Sequence, residues 1–267
     1  MDKDSTLRLR TGRVMPVLGL GTWQLTDDTA GAVAHALRIG YRMIDTSSDY
    51  GTQPGIGEAI RRSGTDRSAL YVVTKVEETD DAYARTQSNL RELGLDCVDL
   101  MLIHRPPPTG AGEALWDGLI RAKRDGLVRD IGVSNYSISL IERLIAACGE
   151  VPVVNQIEWS PFGWSETVRD WCRDQSIVIQ AYSPLTRTER LADPTLASIA
   201  KRYDKTPAQI LIRWNLDHGI CPLPKANRKG HLEQNLDVFD FELEAADRAR
   251  LDRLNEDYSS LGSLPYL

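Results

Sequence analysis

Long apolar runs are missing from this 267-residue chain. No stretch approaches the roughly 18 apolar residues a membrane span needs. The opening residues, Met1-Asp-Lys-Asp-Ser-Thr6, contain no apolar leader segment. Neither a membrane anchor nor an export signal is therefore expected. Cysteine is scarce. Cys97, Cys148, Cys172 and Cys221 stand 51, 24 and 49 residues apart and form no C-x-x-C pair. That spacing suits neither a zinc site nor a disulfide framework, and the four read as reduced thiols in a cytoplasmic protein. Positive charge is not in excess. A net charge of −6 argues against nucleic acid or an anionic membrane as partner, because both require a basic face. A G-x-G-x-x-G after an early strand is also missing. Gly19, Gly21, Gly51, Gly55 and Gly57 match neither that fingerprint nor a phosphate-binding P-loop, which weighs against a doubly wound open sheet.

What is present is an ordinary globular composition, 42 % apolar and 26 % charged, on a chain long enough to bury a large core. No linker or low-complexity segment interrupts it, so residues 1–267 are expected to form a single domain. Residues 7–10 and 14–18 flank Thr11-Gly12-Arg13 and predict a β-hairpin. Eight strand-like runs follow: 17–20, 43–45, 70–75, 98–104, 128–133, 151–156, 177–182 and 220–225. Between them lie helix-like stretches. Residues 28–39 close on Gly40, and 53–62 follow. A helix capped by Thr79 runs to Leu93 and Gly94. Helices over 113–124, 138–148 and 165–174 come next. A capping box, Thr206-Pro-Ala-Gln209, opens a helix through Trp214. Helices near 229–236 and 243–254 close the chain. Strands alternating with helices imply a parallel sheet, and eight such units imply a closed (β/α)8 TIM barrel with an N-terminal hairpin and extra C-terminal helices.

In such barrels the chemistry sits at the C-terminal strand ends. Here those ends carry Asp45, Lys75, His104, Ser134-Asn135, Asn155-Gln156, Tyr182 and Lys225, with Tyr50 one turn beyond Asp45. Taken singly, Asp45 reads as a turn residue, Lys75 as a surface charge and His104 as a rim histidine. In register they suggest proton transfer by a phenol. A nearby ammonium favours the phenolate, and a carboxylate holds that ammonium in place. Tyr50 is then the acid, Lys75 its partner and Asp45 the holder of the lysine, while His104 positions a carbonyl oxygen. Such a set suits protonating an oxyanion as hydride arrives from an outside donor. Tyr182 is suited to stacking on a nicotinamide ring, and Ser134, Asn135 and Gln156 to binding its carboxamide.

The order Gly40-Tyr-Arg-Met-Ile-Asp-Thr46, Tyr50-Gly51, Thr74-Lys75, Leu102-Ile-His104, Gly132-Val-Ser-Asn135, Asn155-Gln156, Ala181-Tyr-Ser-Pro-Leu185 and Pro224-Lys225 resembles the aldo-keto reductases, of the short-loop prokaryotic type. The resemblance runs from about residue 7 to 255. It implies reversible NAD(P)H-dependent reduction of aldehydes or ketones, with Tyr50 as acid supported by Asp45, Lys75 and His104. It implies cofactor contacts at Thr22, Trp23, Ser134, Asn135, Gln156, Tyr182, Ser183, Pro184 and Leu185. At the adenosine end it implies Lys225, Ala226, Asn227, Arg228, His231, Gln234 and Asn235.

The chain departs from that pattern in three places. Ala226 replaces a serine and His231 an arginine in the adenosine-phosphate segment, so NADP(H) preference is expected to weaken and NAD(H) to be accepted as well. Arg105 replaces the tryptophan after the histidine, which opens the pocket to anionic substrates if it faces inward. Val76-Glu77-Glu78 stands where the tryptophan after the lysine is usual, leaving Trp23 as the main aromatic wall. Two other readings use the same barrel: a Schiff-base aldolase acting through Lys75, and a nucleotide-binding regulatory barrel with little turnover. The substrate is a small-molecule carbonyl compound, the short 105–112 loop implies an open pocket, and a monomer is the default assembly.

Overall fold

The structure, a computed structural model, describes residues 1–267. The hairpin comes first. Strand β1 (Thr6–Arg8) pairs antiparallel with β2 (Val14–Pro16), Leu7 facing Met15. Gly12 turns the chain at φ 85°, a left-handed conformation that glycine adopts freely. Leu9 and Met15 are buried against Met43, Tyr71 and Leu100, so the hairpin plugs the barrel floor.

The barrel strands are β3 (Leu20–Gly21), β4 (Met43–Asp45), β5 (Tyr71–Val76), β6 (Val98–Ile103), β7 (Val128–Ser134), β8 (Val154–Glu158), β9 (Val178–Tyr182) and β10 (Cys221–Pro222). All pair in parallel with their sequence neighbours. The ring closes where the Gly19 N–H donates to the Pro222 carbonyl (3.1 Å) and the Gly21 N–H to that of Pro224 (3.2 Å). A β-carbon at position 21 would stand 2.7 Å from the Leu223 carbonyl oxygen, so only glycine lets the two ends approach this closely. Pro222 and Pro224 have no N–H to give, which is why β10 is two residues long and not the six of the 220–225 run.

The helices are α1 (Thr29–Ile39), α2 (Gln53–Ser63), α3 (Ala82–Leu93), α4 (Glu113–Arg124), α5 (Ile138–Cys148), α6 (Glu166–Asp174), α7 (Pro194–Arg202), α8 (Pro207–Asp217), α9 (Lys229–Leu236) and α10 (Ala245–Asp252). Their starts follow capping chemistry. Asp28 accepts from the Gly31 N–H, Ser137 from that of Leu140, and Thr206 and Gln209 form the expected capping box. The expected cap at Thr79 is not used. Residues 77–80 close a tight turn, with Asp80 N–H to Glu77 O (3.1 Å) and Glu77 N–H to Asp80 Oδ2 (2.7 Å). The helix therefore starts two residues later, capped by Asp81. Helix α7 was not anticipated. Asp193 caps it, Pro194 opens it, and Leu196, Ile199 and Ala200 bury one face. No helix is long and apolar enough to cross a membrane.

Candidate active site

Each strand end delivers a side chain because an apolar run in the wall is followed by a polar residue at the rim. At the centre is Lys75, fully buried at the end of β5. Its Nζ donates to Asp45 Oδ1 (2.9 Å), Asp45 Oδ2 (3.0 Å) and the Thr46 carbonyl (2.8 Å). Burial works against the charge, but Asp45 and then Tyr50 outweigh it, and the Lys75 pKa is raised. Asp45, itself buried, accepts a further bond from Gln156 Nε2 at 2.7 Å. Gln156 also donates to Gln180 Oε1 (3.0 Å).

Tyr50 ends the short 3₁₀ turn Ser48–Tyr50, and Gly51 follows at φ 69°. Lys75 Nζ lies 5.0 Å from the centre of the Tyr50 ring. The His104 ring meets the Tyr50 ring edge-on with centres 5.8 Å apart. Burial pushes the Tyr50 phenol above its ordinary pKa, and Lys75 only partly offsets it. The net direction is opposite to what the lysine alone would produce. It keeps the proton on the phenol at neutral pH, while the ammonium stays poised to meet a phenolate.

A second network continues from β6 to β9. Asn135 Nδ2 donates to the His104 carbonyl (3.1 Å) and to Ser134 Oγ (3.2 Å). Ser134 Oγ donates to the Gln156 carbonyl (2.7 Å), and Tyr182 OH donates to Asn135 Oδ1 (2.8 Å). Asn135, after β7, is held at φ 65° and Ser183, after β9, at φ 47°, left-handed conformations at the strand ends on either side of β8. Thr22 ties β3 to β4 through the Asp45 carbonyl (2.8 Å). Trp23 is exposed, with the Arg187 guanidinium 4.4 Å over its ring. Pro184 and Leu185 continue from β9.

Lys225, Ala226, Asn227, Arg228, His231, Gln234 and Asn235 form a separate group, from the end of β10 through α9. Ala226 and Asn235 are buried, Lys225 is half-buried, and Asn227, Arg228, His231 and Gln234 are exposed. Helix α9 begins at Arg228 with no side-chain cap. Its free N–H groups beside Lys225, Arg228 and Lys229 make a donor set that fits a phosphate.

Three features were invisible in the sequence. Both oxygens of Glu77 stand 2.9 Å from His104 Nδ1. Arg105 does not stand alone at the rim: it reaches Glu77 (3.3 Å), Asp49 (3.6 Å) and Glu78 (3.6 Å). Strand β8 runs past Gln156 to Glu158, where the C-terminal tail docks. Ser259 Oγ donates to Glu158 Oε2 (2.6 Å) and the Ser260 N–H to Oε1 (2.8 Å). The unusual Glu77 and Arg105 were visible departures from the resembled pattern, but nothing local showed that they meet.

A parallel (β/α)8 barrel with a buried carboxylate–ammonium pair, a tyrosine and a histidine at successive strand ends defines an enzyme of the barrel oxidoreductase class. A sequence model of the Aldo/keto reductase family matches residues 17–256. An aldo-keto reductase of Mycobacterium tuberculosis is 43 % identical over 257 residues, covering 94 % of this chain and 91 % of that one. The crystal structure of an aldo/keto reductase from Brucella melitensis superposes with a TM-score of 0.89 at 39 % identity, covering 94 % of this chain and 99 % of that one. The Bombyx mori aldo-keto reductase solved with NADP superposes with a TM-score of 0.91 at 32 % identity, covering 96 % and 94 %. The chain belongs to the aldo/keto reductase family, and it is an oxidoreductase that acts on carbonyl groups.

Proposed function

We propose that the chain reduces aldehydes and ketones to alcohols, reversibly, with NADP(H) as redox partner and Tyr50 as proton donor. The observation that carries this reading is the fully buried Lys75 ammonium, held by both oxygens of Asp45 and 5.0 Å from the Tyr50 ring. Bound, the nicotinamide supplies or accepts a hydride. Tyr50 gives its proton to the carbonyl oxygen, and Lys75 stabilises the phenolate left behind. His104 donates a hydrogen bond to the same oxygen. Ser134, Asn135 and Gln156 are assigned to the carboxamide, and the half-buried Tyr182 ring to stacking. Thr22, Trp23, Ser183, Pro184 and Leu185 line the same end, and the α9 group takes the adenosine phosphate. A Schiff base on Lys75 would need a free amine, which the Asp45 pair disfavours.

Titrating the protein separately with NADPH and NADH, following tryptophan fluorescence, tests this reading first. Near-equal affinities are expected because Ala226 offers no hydroxyl and His231 no bidentate guanidinium. His231→Arg is expected to shift the ratio toward NADPH by roughly tenfold, about 1.4 kcal/mol. An unchanged ratio places His231 outside the phosphate site. Binding of neither nucleotide defeats the reductase reading.

Arg105 and Trp23 are assigned to the substrate mouth. The guanidinium is shared among Asp49, Glu77 and Glu78, so Arg105 has little charge left to offer a substrate carboxylate. Uncharged carbonyl compounds are therefore expected to be reduced with higher kcat/KM than carboxylated analogues of the same size. A preference for the carboxylated partner would show instead that Arg105 breaks its ion pairs to bind substrate.

A further inference from the structure

We propose that Glu77 is a positioning residue that fixes the proton on His104 Nδ1, so that His104 donates through Nε2 only as the imidazolium. The inference rests on the carbonyl-reductase reading, in which His104 hydrogen-bonds the substrate oxygen.

Both carboxylate oxygens of Glu77 lie 2.9 Å from His104 Nδ1. A carboxylate only accepts, so the hydrogen between them belongs to the ring. The reverse arrangement, a protonated Glu77 donating to a bare nitrogen, is opposed by its other partners. Ser47 Oγ donates to Glu77 Oε1 at 3.0 Å, and Arg105 Nη2 donates to Oε2 at 3.3 Å. Burial works to raise the Glu77 pKa, but His104, Ser47 and Arg105 together bring it down to about 2. Glu77 is thus ionised across the working pH range.

With Nδ1–H held by Glu77, Nε2 is the only ring nitrogen left, and it makes no hydrogen bond within the chain. In the neutral ring Nε2 then carries a lone pair, which repels a carbonyl oxygen. Only the imidazolium offers an Nε2–H. The charged groups around the ring are consistent with that form. Asp49 Oδ1 stands 3.8 Å from Nδ1, Glu77 is in contact, and Arg105 is tied to both carboxylates. Tyr50 meets the ring edge-on, with Lys75 behind it already paired to Asp45. Asn135 contacts only the His104 backbone carbonyl. A tryptophan at position 77 would offer no acceptor here and leave the tautomer free.

The direct test is a long-range ¹H–¹⁵N spectrum of the wild-type protein without cofactor, recorded across pH. The chain has four histidines, His35, His104, His218 and His231, and His104→Gln identifies the signal by its loss. His104 is expected to pass from imidazolium to the Nδ1–H tautomer as pH rises. A neutral Nε2–H tautomer overturns the inference. The kinetic test compares kcat/KM for carbonyl reduction in wild type and Glu77→Gln. In wild type it is expected to show an alkaline limb that falls about tenfold per pH unit. In Glu77→Gln the amide can turn its N–H₂ toward Nδ1, which permits a neutral ring with Nε2–H, so that limb is expected to disappear. Identical limbs in the two proteins overturn the inference. A wild type without turnover at any pH defeats the reductase reading instead, and the tautomer in the spectrum then decides the role of Glu77 alone.

Discussion

Tyr50→Phe is expected to lower the rate of carbonyl reduction by roughly 10²–10⁴-fold, the range a positioned general acid contributes, while cofactor affinity stays essentially unchanged. The substitution removes one oxygen and keeps the ring, so the edge-on packing against His104 survives. Lys75 keeps its three bonds to Asp45 and Thr46, and the local fold has no reason to shift. The residues assigned to the carboxamide are bound to one another and not to Tyr50, so nucleotide titration should not register the change. Single-turnover reduction alongside fluorescence titration separates the two quantities. A variant that reduces aldehydes at the wild-type rate would remove Tyr50 as donor and leave His104 as the acid.

The second large effect is on stability. Lys75→Met should destabilise the fold by about 3–5 kcal/mol, because it strands a buried carboxylate without its counter-charge. The Asp45 carboxylate would keep only its bond from Gln156, too little to replace an ammonium that donates to both oxygens. The double variant Asp45→Asn/Lys75→Met removes both charges and should recover much of that loss, while remaining inactive. Urea unfolding checks both, since a shift in midpoint at constant slope reports stability alone. If Lys75→Met were as stable as wild type, the pair with Asp45 would contribute nothing to the fold, and the role given to the lysine would fall with it.

The meeting of Asp45, Lys75 and His104 at strand ends was legible because its signals are local. Asp45, Lys75 and His104 each end an apolar run, and their separations of 30 and 29 residues match one strand plus one helix. Partnerships across strands were not legible. Glu77 meets His104 because the 77–80 turn aims its carboxylate inward and Ser47, from the loop after a third strand, anchors it. The same turn decided between Thr79 and Asp81 as helix cap, two residues of equal capping type. Helix α7 is hidden because it breaks the strand–helix alternation by adding a second helix before β10, although Asp193-Pro194 is a fair start signal. The direction of the Tyr50 pKa was hidden for another reason: a neighbouring charge can be read from sequence, whereas the depth of burial that opposes it cannot.

The seam between β3 and β10 also bears on how the molecule comes into being. Gly21 has its closing partner in Pro224, so a chain made from the N-terminus cannot complete the ring until nearly all of it has emerged. Asp45, Lys75 and His104 are available far earlier, on neighbouring strands. Through that interval β3 is an open sheet edge, the kind of surface on which nascent chains pair wrongly. It is only two residues long and ends at a glycine, which limits what a foreign strand can grip. The narrowness of the seam is thus a safeguard during synthesis as well as the last stitch of the barrel.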